Sequence, residues 1–369
     1  MAQMVPRPSA TILVLVFFLS SATVFSQSNV RDREVAARFA PVFYQALGDK
    51  PRSDYFTNFD FDDDWRGDNN WEHVDDKKYP LKAYVYFSVS ETATHFFIHY
   101  AVFHPRDYKG GETRGRLLSE LIRQGVKSGT KADPTGLLEE AGVAHENDLE
   151  GCLIVVAKNG NDLDRARVIL LETLHHNQFS RYVPGDQASK GFGLLRSEET
   201  HALLYVEPRG HGIESYTGDE KQTAKKEFVI YKCTGKAEEP AESNEGSVGY
   251  ELLPLEALWS KATRELADGA NITYGSVHDY GQISINLVQS KGRVAVRKIK
   301  VGKIGSAFLG DTGGLNMARP PWAWFDNKTR NQPLGLWFFD PATIVRRDLK
   351  ADESFSTAYL RLPFWANDR

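Results

Sequence analysis

Apolar and polar residues alternate with a period of two over much of the chain after Leu81, in runs rich in β-branched and aromatic residues. The runs are Leu81–Val89, His95–Phe103, Cys152–Lys158, Val168–Leu174, Ala202–Glu207, Phe228–Cys233, Ile283–Val288, Val294–Val301 and Leu334–Phe339. Bounded by Gly, Asn and Asp, they read as short strands, and their spacing predicts a mainly β protein, an antiparallel β-sandwich with peripheral helices. Helical spacing recurs at Glu34–Leu47, where Pro41 should interrupt or restart the helix, and at Arg116–Val126 and Leu255–Leu266, the last opening just after Pro254. Asp54–Asp76 is aromatic and acidic; a calcium loop beginning at Asp60 fails, because its twelfth position is Trp71 and its sixth Trp65, so the stretch reads as a solvated loop with aromatic anchors. Two segments look inserted, 109–140, a candidate lid with its own helix, and 235–247, polar and Glu-rich enough for a mobile loop.

The N-terminus reads differently. One charge at Arg7, an apolar run Thr11–Leu19 and small or polar residues through Ser26 form the layout of a secretory signal peptide, residues 1–26. The expectation is a secreted or periplasmic protein, with residues 27–369 forming a single sandwich domain. The apolar run is shorter than the roughly 20 residues of a membrane-spanning helix, and no later stretch qualifies, so no transmembrane segment is expected. Because Arg7 is its only charge, removing the leader moves the formal charge from −4 to −5, which gives no basis for a nucleic-acid partner. Cys152 and Cys233 both fall in strand-like runs; in an exported chain they are either bridged or two buried free thiols.

The chemistry concentrates in His145-Glu146-Asn147-Asp148-Leu149-Glu150, immediately before an apolar strand. Asp148 and Glu150 share one face of an extended chain, and His145 joins them only if the chain turns between His145 and Asp148. An imidazole with carboxylates suits Ca²⁺ or Mg²⁺, with Mn²⁺ possible, and suits Zn²⁺ less because the motif holds no thiolate or second His. The helical zinc pattern fails, since its second His would be Leu149. A bare polar turn before a strand explains the same spacing. No serine elbow, phosphate loop or dinucleotide fingerprint appears.

The motif resembles the Gly-His-Arg-His-Asp-Trp-Glu heptapeptide of the necrosis- and ethylene-inducing-like proteins, and the His-Glu-Gly-Asp-Trp-Glu motif of a vacuolar-protein-sorting-related family. Upstream, Tyr100–Asp107 resembles the Tyr-Ser-Trp-Tyr-Phe-Pro-Lys-Asp of the first family. Val168–His176, Leu204–Tyr216, Ala40–Tyr44 and Pro320–Trp324 are similar to strands and ends of these families. The resemblance implies a metal-bearing β-sandwich whose ligands fall on Asp107, His145, Asp148 and Glu150. The departures are Ala144, Asn147 and Leu149 within the motif and the insertion after Asp107.

His211, in a Gly-His-Gly turn, and Glu214 are further candidates for the site; Trp322 and Trp324 could form a stacking platform for a sugar or lipid, or pack inside. The expected function is divalent-cation-dependent binding of a lipid head group or glycan at the sandwich rim. The alternative is a metal-dependent hydrolase with His211 or Glu146 as general base.

Overall fold

The computed structural model describes residues 30–107, 145–160, 162–175, 178–185, 191–219, 228–241, 247–267, 272–310, 318–326 and 334–363. Residues 1–26, read as a leader, and the 109–140 segment, read as an insertion with a helix, lie outside them. Twelve strands carry most of the architecture: β1 (Val42–Ala46), β2 (Tyr84–Thr92), β3 (His95–Asp107), β4 (His145–Asn159), β5 (Asp162–His175), β6 (Gln178–Pro184), β7 (Gly193–Leu195), β8 (Ser197–Glu198), β9 (His201–Val206), β10 (Ile213–Ser215), β11 (Phe228–Cys233) and β12 (Ser247–Pro254). Five more follow, β13 (Tyr274–Asp279), β14 (Gln282–Val288), β15 (Val294–Lys300), β16 (Lys303–Phe308) and β17 (Tyr359–Arg361). The helices are α1 (30–38), α2 (Asn70–His73), α3 (Glu256–Ala267), α4 (Leu336–Phe339) and α5 (Pro341–Leu349).

The protein is mainly β, but the expected antiparallel sandwich gives way to one large mixed sheet. Its order runs β10-β9-β1-β11-β12-β2-β3-β4-β5-β6-β7. The centre, β2 to β6, is an antiparallel meander with long registers, such as His95–Asp107 against Ala157–His145. Parallel pairs join β1 to β9, β11 to β12, β12 to β2 and β6 to β7. The twist accumulated over so many strands curls the sheet until β10 lies against β4, β5 and β7, giving a nearly closed, barrel-like shape.

Local chemistry explains several boundaries. Helix α1 ends just ahead of Pro41, and the apolar residues Val42, Phe43 and Ala46 that continue its periodicity form β1 instead. The run Leu334–Phe339, read as a strand, contains the one-turn helix α4, because Gly335 takes a left-handed conformation (φ 78°) and Asp340 with Pro341 starts α5 at once. The Asp54–Asp76 loop anchors through Tyr55, Phe56, Phe59, Phe61 and Trp71 as expected, but it also buries Asp54, Asp62 and Asn70, so it is a packed wall and not a solvated loop. Of the second insertion, residues 235–241 are fastened down: the Ala83 amide donates to the Glu238 carbonyl, and Glu239 accepts from Arg52 and the Leu81 amide. Cys152 and Cys233 are free thiols.

Candidate functional site

Strands β3 and β4 run past the apolar core and carry polar residues, still buried, to the rim of the sheet. The register sets His104 opposite Asp148, Arg106 opposite Glu146 and Asp107 opposite His145. The His145–Glu150 segment is thus the first part of β4, and not a turn before it. The change of direction needed to bring His145 toward Asp148 sits at Asn147, which adopts a left-handed backbone with φ 59°. Asn tolerates that region better than most residues. Its amide locks it there, donating to the carbonyls of Gly67 and Leu309 (2.9 and 2.7 Å) and accepting from Asn70 (2.6 Å). Gly67 is required by this contact, since a Cβ there would stand 2.1 Å from the Leu309 oxygen.

The residues of the motif form two groupings. In the first, His145 donates from Nδ1 to the Glu146 carbonyl (2.9 Å), which turns Nε2 toward the Asp107 carboxylate at 3.5 Å. An imidazole whose second nitrogen is held by a carbonyl is the usual posture of a metal-ligating histidine. In the second, His211 donates from Nδ1 to Asp148 (2.8 Å) and from Nε2 to Asp54 (3.2 Å), so the ring is an imidazolium between two buried carboxylates. Burial works against its charge, but the two carboxylates push its pKa up to about 10. Burial likewise opposes ionisation of Asp148, and His211 overrides it, holding that carboxyl well below the usual range. Asp54 also accepts the amides of Gly48 and Arg209 (2.7 and 2.8 Å).

His104 stacks on His211 with ring centroids 3.7 Å apart and planes 4° from parallel. Burial and the neighbouring imidazolium both hold its pKa well below the ordinary value, so it is neutral. Gln45 donates to the Ala46 and Glu207 carbonyls, which leaves its oxygen to accept from His104 Nε2 (3.2 Å). Asp54, His104 and Gln45 were not picked out from the sequence. Only His104 left a signal, within the Tyr100–Asp107 block.

Beside this network Arg106, 1% exposed, donates to Ser53, to the Trp71 carbonyl and, as a fork, to Asp75 (2.9 and 3.1 Å). Burial alone would raise the Asp75 pKa, but the Arg106 fork holds it below the ordinary value.

No family model and no curated protein sequence matches the chain. Among solved structures, a complex of NLPPya with glucosamine is 13% identical, covers 60% of this chain and 73% of that one, and has a TM-score of 0.31. The corresponding values for its complex with mannosamine are 15%, 60%, 72% and 0.30. For Necrosis and Ethylene inducing Protein 2 from the causal agent of cocoa's Witches Broom disease they are 12%, 63%, 80% and 0.29. These overlaps are loose, and the likeness stands as a distant resemblance in outline. The resemblance to the sorting-related family remains one of sequence motifs.

The other expected ligand-binding residues separate. Glu214, on β10, pairs with His175 (3.0 Å), which also meets Glu207 (3.4 Å); the two carboxylates push the His175 pKa up to about 9. Trp322 and Trp324 are interior, donating to the Gly305 and Arg319 carbonyls, and present no open ring face for stacking. Glu146 is fully buried, and Glu150, buried as well, lies on β4 opposite Val102. Among the described residues, no three His, Cys, Asp or Glu side chains stand close enough together to enclose an ion.

Proposed function

We propose that the protein is exported and recognises a polar head group or glycan through a divalent cation at the β3–β4 rim. The observation carrying this reading is the His145 ring, fixed by the Glu146 carbonyl so that Nε2 and the Asp107 carboxylate face each other at 3.5 Å. One imidazole with three carboxylates is a donor set for Ca²⁺ or Mg²⁺, with Mn²⁺ also suited. His145 and Asp107, which already face each other, would hold the ion; Asp148, engaged by His211 in this structure, and Glu150 would complete its shell only by turning toward it, and the ion would orient an oxygen-rich ligand. Among the distant structural neighbours, NLPPya has been seen with glucosamine and mannosamine, so amino sugars are reasonable first ligands to try.

The hydrolase alternative is less well supported by the geometry. Both nitrogens of His211 are engaged by buried carboxylates, which leaves neither free to take a proton from water, and Glu146 is fully buried.

The test is thermal unfolding with and without each divalent ion, beside elemental analysis. A site held at about 100 times its Kd should add about 2.7 kcal/mol. Asp107→Asn and Glu150→Gln should each remove most of that response. A wild-type protein that carries no metal and gains nothing from any divalent cation would overturn the proposal.

A further inference from the structure

A basic cleft of about 470 Å³ lies at the end of α5. Helix α5 supplies Thr343, Arg346 and Arg347; Lys350 caps it with a left-handed backbone (φ 53°), its amide donating to the Arg346 and Arg347 carbonyls. Thr357 and, from β14, Asn286 form the facing wall, where the Asn286 amide reaches the Thr357 hydroxyl at 3.4 Å. Ala351 is the sole apolar residue of the lining.

Cations in a last helical turn are favoured by the helix dipole, which accounts for Arg346, Arg347 and Lys350 being there. It does not account for the Thr357 hydroxyl and the Asn286 amide, from two other segments, meeting them across an open cleft. Pairing of Ser284 with Lys298 and Gln282 with Lys300 puts both lysines on the Asn286 face of the β14–β15 hairpin, so the positive field extends beyond the helix. Three acids stand nearby, and Asp352 lies within electrostatic reach of Arg346. Asp348 engages Arg347 (2.8 Å) and Arg181 (3.2 Å), Asp352 accepts from Ser354, and Glu353 is exposed. The chain as a whole is formally −4, which makes this corner the reverse of the average surface.

The cleft is also remote from the rim. β14 pairs with β17 at Tyr359, which pairs with Thr92 at the end of the β2–β3 hairpin. Asp107 stands at the other end of β3, thirteen residues long, or about 40 Å away at the usual rise per residue.

We propose that this cleft binds the phosphate ester of a small polar molecule. The guanidinium groups of Arg346 and Arg347 and the Lys350 ammonium take the phosphate oxygens, a task for which planar forked donors are suited. Thr343, Thr357 and Asn286 receive the hydroxyl groups of the polar body. Every lining side chain but that of Ala351 ends in a charged or hydrogen-bonding group, which favours a polar body over an acyl chain or aromatic ring, and the volume suits a small ligand.

Thermal-shift and calorimetric titrations of the full chain with glucose 6-phosphate, glucose, inorganic phosphate and sulfate test this. Glucose 6-phosphate should bind and glucose should not, and the affinity should weaken with salt. Arg346→Gln with Lys350→Gln should lower the affinity by about tenfold or more, while Lys291→Gln, at the hairpin tip, should not. An unchanged melting temperature without ligand shows that the double variant is folded. Absence of binding, or equal binding to the double variant, would overturn the proposal. Inorganic phosphate or sulfate binding as tightly as the ester would remove the role of the polar body and overturn it as well. Binding to vesicles containing phosphatidylglycerol but to no soluble ester would assign the cleft to a lipid surface instead. Chelators and Asp107→Asn should leave the response intact, so its failure is separable from failure of the rim site.

Discussion

His211 holds two buried carboxylates with one ring, so its loss would leave Asp148 and Asp54 as buried charges without their shared cation. Removing one partner of a buried pair typically costs about 3–5 kcal/mol. His211→Ala should therefore lower the unfolding free energy by about that amount in denaturant titrations, and a change below about 1 kcal/mol would mean that the imidazolium is not needed there. A second residue-scale expectation concerns Gly151. A Cβ at that position would lie 2.2 Å from the Tyr100 oxygen and 2.5 Å from Trp324 Cη2, and the backbone oxygen belongs to the β3–β4 ladder and cannot yield. Gly151→Ala should destabilise by about 1–3 kcal/mol in the same assay. His145 and Asp148 were singled out chiefly through the motif resemblance, since polar residues before an apolar strand are by themselves a common turn. Gln45 and Asp54 were not, because Gln45 is a lone polar residue in an apolar run and Asp54 is one acid among many in the Asp54–Asp76 stretch, and only the fold brings them to His104 and His211.

All but the last of the runs read as strands fall on strands. Phe228–Cys233 coincides with β11, and His95–Phe103 lies wholly within β3. The extension of β3 and β4 into Asp107 and His145 was missed because buried charged residues at a rim break the alternation that marks a strand. Leu334–Phe339 was misread because a six-residue apolar run fits a buried strand or a helical turn equally well. At the seam where β10 meets β5, His175 bridges Glu207 and Glu214, with Tyr182 close to Glu214. The folded-state pKa of His175, about 9, exceeds the unfolded value of about 6.5. This contribution to stability is therefore complete below about pH 6.5 and is lost as pH rises through about 9. The melting temperature of the wild type should fall more between about pH 7 and about pH 10 than that of His175→Gln. Equal slopes would show that the seam does not depend on this ion pair.

For the whole molecule the class was legible and the topology was not. Period-two patterning marks a strand but says nothing of its partner, so the parallel joins of β1 with β9 and β12 with β2 left no trace in sequence. The state of the cysteines was open for the same reason. With both thiols free, denatured and unreduced protein should take up two alkylating groups by intact mass, and no uptake would show a bridge.

The position of β1 also has a consequence in time. It lies inside the sheet between β9 and β11, so Val42–Ala46 waits for Leu203–Val206 on one side and Phe228–Tyr231 on the other. On a growing chain it is the earliest of the described strands to appear, yet among them it acquires its first neighbour only after the β2–β6 meander has been made. Pairing across such a separation is slow, because the long loop must close before any contact compensates for the lost entropy. Pulsed hydrogen exchange during refolding should therefore protect the amides of β3 and β4 before those of β1. The oldest strand of the nascent chain would be among the last to find its place.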